Sequence, residues 1–134
     1  SGLDPVVRRD ILSEIIRTIA DEGRTVLFSS HLLDEVERVA DRVAILHEGE
    51  ILLASSMDEI KETHRRLTLR FSQAMTHPPS LIGALSFEGA GSEWTYRCSG
   101  EVGQLRRAAE AIGATVVDEA ALTLDEIFLS RIAP

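Results

Sequence analysis

Thr25 to Ala54, TVLFSSHLLDEVERVADRVAILHEGEILLA, constrains the fold more than any other stretch of this chain. Val26, Leu27 and Phe28 form an apolar run too short for a helix and suited to a strand buried on both faces. The polar triplet Ser29-Ser30-His31 follows, and Leu32, Leu33, Val36, Val39 and Ala40 then recur at helical spacing. Val43 to Leu46 is a second apolar run, Glu48-Gly49 a turn, and Ile51 to Leu53 a third run. Strand, helix, strand and hairpin is the predicted order. A crossover helix between two strands makes them parallel and leaves the triplet at the carboxyl end of the first. Open α/β sheets bind their ligands at that end.

Upstream, Asp4-Pro5 reads as a helix start, with Asp as N-cap and Pro at the first helical position. Val7, Ile11, Leu12, Ile15, Ile16 and Ile19 trace one apolar face before Gly23 stops the helix. Downstream, Ser56 and Glu59 stand in capping-box spacing, predicting a short helix from Met57 to about Thr63, closed by Arg65-Arg66 at its carboxyl end. From Leu67 the period changes to two: Leu67, Leu69 and Phe71 alternate with polar residues, as in a half-buried antiparallel strand. One or two helical turns are expected over Leu81 to Leu85. Leu85 to Glu88 and Trp94 to Cys98 flank Gly89-Ala90-Gly91-Ser92 as a hairpin. A helix over Val102 to Ile112, a strand at Thr115 to Val117 and a last helix opened by the Thr123/Glu126 capping box complete the chain. That order is the ferredoxin-like split β-α-β pattern with one extra helix. It predicts two domains: an α/β unit over residues 1–64 and a small α+β domain over 65–134.

Charge changes at the same place. The chain has 134 residues and a net charge of −8; residues 1–64 hold seven basic and fourteen acidic side chains, and 65–134 hold seven and eight. Neither half has the clustered positive charge that a nucleic acid partner or an anionic lipid surface requires. No run approaches the 18 or so apolar residues of a membrane span, and the opening SGLDPVVRRD has no apolar core of a signal peptide. The single Cys98 excludes an internal disulfide and suits a reducing cytoplasm; it reads as an edge-strand packing residue.

Few residues can carry chemistry. Ser30, His31 and Asp34 are too close in sequence to meet as a catalytic triad. His47, His64 and His77 stand at no metal-ligand spacing, so no metal site is expected. His31 differs, since an imidazole between a strand end and a helix start can donate to a phosphate oxygen. An isolated SSH equally fits a surface histidine beside an N-cap serine. Glu37 shares its helix face with Asp34 and Glu35 and fits a solvated surface as well as a functional role.

The opening SGLDP resembles the D-loop of ATP-binding-cassette (ABC) ATPases, and the strand ending in Ser29-Ser30-His31 resembles their switch-histidine region. Asp4 and His31 stand 27 positions apart with a helix between, in the family's order. The sequence LTLDEIFL, Leu122 to Leu129, is similar to the end of the accessory domain of bacterial ABC exporter ATPases. The resemblance implies an α/β remnant of a nucleotide-binding domain followed by the accessory α+β domain. It implies that His31 contacts the γ-phosphate in the intact subunit, and that Ser1, Gly2 and Asp4 form a loop acting across a dimer of nucleotide-binding domains. ATP and Mg2+ would be the cofactors there. A membrane-spanning transporter subunit and a second copy would be the partners, at the cytoplasmic face of the membrane. No Gly-Lys pair occurs, and Lys61 is the only lysine, so a G-x-x-x-x-G-K-[ST] phosphate loop is absent and no nucleotide cofactor is expected in this chain by itself. The alternative reading makes residues 65–134 a ligand-sensing or protein-interaction module.

Overall fold

A computed structural model describes residues 4–132. Asp4 caps α1 (Pro5–Asp21), its Oδ1 accepting from the Val6 N–H at 2.8 Å. Residues 24–30 follow outside any helix or strand, and α2 (Leu33–Val39) comes next. β1 (Arg42–His47) and β2 (Glu50–Ser56) pair as an antiparallel hairpin. Its turn places Glu48 at φ 49 and Gly49 at φ 80, the paired positive angles that match a two-residue turn to strand twist. Ser56 caps α3 (Met57–Thr63), its Oγ accepting from the Glu59 N–H at 3.1 Å.

β3 (His64–Arg70), β4 (Ala84–Ala90), β5 (Glu93–Ser99) and β6 (Thr115–Ala121) form a second sheet in the order β4-β5-β3-β6, antiparallel at every pairing. α4 (Val102–Ala111) crosses from β5 to β6. Period-two alternation puts Leu67, Leu69, Trp94, Tyr96 and Cys98 on one face, under Leu105 and Ala109 of α4. The opposite face is polar. There α5 (Leu124–Ile132) lies with Glu126 accepting from Arg66 at 2.9 Å and from Arg97 at 3.4 Å, and with Ser130 3.3 Å from Ser86. The other side of α5 is apolar: Leu124 and Ile127 join Val43, Ile45, Met57, Ile60 and Leu122 in a second core. One helix therefore serves two cores.

The Thr123/Glu126 box forms as its spacing predicts, Thr123 Oγ1 accepting from the Glu126 N–H at 3.1 Å and Glu126 Oε1 from the Thr123 N–H at 3.3 Å. Burial disfavours the Glu126 carboxylate, but the Thr123 N–H, Arg66 and Arg97 outweigh it and hold its pKa below the ordinary value. A depressed carboxylate stabilises the fold above its unfolded pKa and loses that contribution as pH falls through the folded one. Glu126→Gln keeps the box and removes the charge. It should cost about 1–2 kcal/mol at pH 7 and almost nothing near pH 2, read as a converging pair of urea midpoints. An equal gap at both pH values would show that the carboxylate's charge is irrelevant.

Several sequence expectations are corrected. The strand at Val26 to Phe28 does not form, and Leu27 is 97% exposed. With it goes the parallel strand-helix-strand unit: among the described residues both sheets are antiparallel. A strand apolar on both faces needs a ladder on each edge, and no described strand pairs with this run. Arg65 and Arg66 lie in β3 rather than closing α3, drawn there by Glu119 and Glu126. Leu81 to Leu85 holds a turn at Ile82-Gly83 in place of helix. β6 runs on to Ala121, and Cys98 sits on the inner strand β5, where burial pushes its thiol up to about 12.

Candidate functional site

His31 is exposed at the bend that leads into α2. The bend is fixed by Ser30, whose Oγ accepts from the Leu32 N–H at 3.0 Å. Beside it opens a cleft of about 720 Å3, lined by residues 27–31, by α2 and by β1. Val36 and Ala40 of α2, Val43 and Ile45 of β1 and Phe128 of α5 make the lining largely apolar. Periodicity explains each contribution. Val36 and Ala40 share a helix face, and Val43 and Ile45 share a strand face.

The other residues expected at the site are arranged differently. Asp4 is exposed, caps α1 and is not among the residues that line the cleft. Ser1 and Gly2 lie outside the described residues. Glu37 is half-buried and ion-paired with Lys61 of α3, whose Nζ also donates to the Leu122 carbonyl at 3.2 Å. It thus ties α2 to α3 instead of facing solvent. Glu35, buried, takes the guanidinium of Arg8 at 3.0 Å and joins α2 to α1.

Sequence reasoning missed Phe128. It stands 97 positions after His31, and its ring meets that of His47 edge-on at 6.0 Å while lining the cleft. The apolar stripe of α5 was the available signal, but nothing local says which core that stripe enters. A second groove, of about 590 Å3, runs along β6 beside α4. Glu119 lies at its edge, held by Arg65 at 2.9 Å and by Arg106 Nε at 2.9 Å. The hydrogen bond from Arg106, opposed by burial and helped by Arg65, lowers the Glu119 pKa, so this carboxylate is already spoken for.

These residues do not by themselves fit a nucleotide. The cleft beside His31 is walled by hydrocarbon, with Arg42 the one guanidinium among its lining residues. A triphosphate needs several converging donors, and one imidazole supplies a single hydrogen bond. No hydrolytic step is derived from this cleft alone.

No family model matches the chain. Curated proteins do. An uncharacterized ABC transporter ATP-binding protein of Nostoc sp. (strain PCC 7120) is 47% identical over 60 residues, which is 45% of this chain and 18% of that protein. The glycine betaine/proline betaine transport system ATP-binding protein ProV of Escherichia coli is 42% identical over 60 residues, 45% of this chain and 15% of its own length. The bacitracin transport ATP-binding protein BcrA of Enterococcus faecalis is 32% identical over 68 residues, 51% of this chain and 22% of BcrA. The chain thus spans about a fifth of the curated relatives it matches. About half of the chain is therefore similar to a stretch of bacterial ABC transporter ATP-binding proteins.

Proposed function

We propose that this chain is the carboxyl-terminal part of an ABC transporter ATP-binding subunit that couples ATP binding and hydrolysis to transport, in our reading export. Residues 1–64 would end the nucleotide-binding domain, and 65–134 would form an accessory domain of ferredoxin-like type. The order β4-β5-β3-β6 and the α4 crossover support that type, although the loop between β3 and β4 holds no helix. In the complete subunit ATP and Mg2+ would be bound mainly by groups this chain lacks. The subunit would work as a pair with a membrane-spanning partner, at the inner face of the membrane. Asp4, with Ser1 and Gly2, would reach across the pair.

The identity to ATP-binding proteins of transport systems carries this reading, together with SGLDP and SSH in the family's order. His31 would supply one hydrogen bond to the γ-phosphate region, held in place by the Ser30 turn. In the complete subunit His31→Ala should leave nucleotide affinity nearly unchanged and lower turnover by at least about tenfold, since a bond that strengthens as charge develops is lost. Its effect on stability should stay within about 0.5 kcal/mol, because the side chain is exposed. Unchanged turnover, or a loss of turnover that tracks a loss of folded protein, would remove the assignment. The interaction-module reading of residues 65–134 gains little: α4 covers the apolar sheet face, and α5 lies on the polar one.

A further inference from the structure

His64 ends α3, opens β3 and is 1% exposed. Its Nδ1 lies 2.9 Å from the Ile60 carbonyl, an acceptor, so Nδ1 carries the proton. Nε2 is then a lone pair, and it accepts from Arg131 Nη2 of α5 at 2.7 Å. That same Nη2 reaches Ser99 Oγ of β5 at 3.3 Å, while Arg131 Nε is buried with no partner among the described residues. The remaining groups that meet His64 are neutral: the Thr63 hydroxyl of α3, 3.3 Å from Nδ1, and on the β6 side the Leu122 N–H, which donates to the His64 carbonyl at 3.3 Å. Arg131 is the charged group facing the ring.

We infer that His64 is a proton-operated latch for α5: a second proton on its ring would set two donors and two positive charges against each other at the Arg131 contact and free the end of the helix. The neutral ring has one acceptor, and Arg131 uses it. Once that acceptor is protonated, Arg131 loses it, and the new N–H points at a guanidinium that has no lone pair to offer. Release would travel one turn along α5 to Phe128, which lines the same cleft as His31, so the latch would also loosen that lining.

Burial lowers the His64 pKa below its ordinary 6.5; the bond to Ile60 opposes the shift and Arg131 adds to it. The latched state therefore resists a proton that the released state accepts near pH 6.5. Release is independent of pH above about 7 and grows as pH falls from 6.5 toward the depressed value. At pH 5 it should be up to about thirtyfold more populated than at pH 7.5.

Amide exchange on the whole chain tests this, with rates corrected for the intrinsic effect of pH and α4 as the internal reference. Protection of α5 relative to α4 should drop between pH 7.5 and pH 5, by at most the same factor of about thirty. His64→Gln keeps a donor and an acceptor but does not titrate, and should abolish the drop. It leaves His47 beside Phe128 intact, so a titration of His47 is told apart. Should that variant not fold, NMR of the wild-type chain decides. The His64 ring should titrate below 6.5, with α5 amide shifts following the same curve, and Arg131→Gln should raise that pKa. A constant α5 to α4 ratio, an equal drop in His64→Gln, or a His64 pKa of 6.5 or above would overturn the latch.

Discussion

Replacing Ile127 by alanine should lower the unfolding free energy by about 3–4 kcal/mol, the middle of the range for a buried aliphatic truncation. Ile127 is fully buried on α5, among side chains from β1, α3 and the stretch before α5. Those neighbours belong to elements fixed by their own ladders and caps, so they cannot close much of the space that is left. The loss is a large share of the stability of a small domain. Leu129, on the same helix but 60% exposed, is the control, and Leu129→Ala should change stability by less than about 0.5 kcal/mol. Urea midpoints at constant slope give both numbers. Trp94 belongs to the other core, so its fluorescence should follow the Ile127→Ala transition only if α5 couples the two. Equal midpoints for the two variants would mean that α5 does not seat as described.

Gly83→Ala should cost about 2–3 kcal/mol, through backbone strain and collision together. Gly83 sits at φ 93, and a Cβ there would come within 2.8 Å of Leu105 Cδ2 and 2.9 Å of the Ser99 carbonyl oxygen. The leucine methyl can rotate away. The carbonyl cannot, because the Ser99 N–H donates to the Gly83 carbonyl at 2.8 Å and ties the two backbones together. Gly113 isolates the strain term, at φ 84 with nothing within 4 Å of an added Cβ. Gly113→Ala should cost only about 1 kcal/mol. Melting temperatures of the two variants separate the effects, and a Gly83→Ala no worse than Gly113→Ala would exclude the collision.

Features encoded within about one helical turn or one strand face were, for the most part, readable before any tertiary contact. Asp4-Pro5, Ser56 with Glu59, and Thr123 with Glu126 set helix starts because a cap bonds a donor two or three residues away. Glu48-Gly49 set the first hairpin through its own backbone angles, and alternation at Leu67 and Leu69 chose the buried sheet face. The Ser29-Ser30-His31 break was legible as well, because three polar residues interrupt the apolar pattern just before the period of α2 begins. The tertiary structure decided whatever depends on distant partners. Val26 to Phe28 has the composition of a central strand, yet a strand exists only when neighbours complete its hydrogen bonds, and no described strand pairs with it. Arg65 and Arg66 read as helix-end charges until Glu119 and Glu126, more than fifty positions on, drew them into a strand. His64 looked like an idle helix end because Arg131, 67 residues later, supplies the bond that gives it a task. Phe128 reached the His31 cleft the same way: its period fixed the face of α5, and only packing chose the core that face would enter.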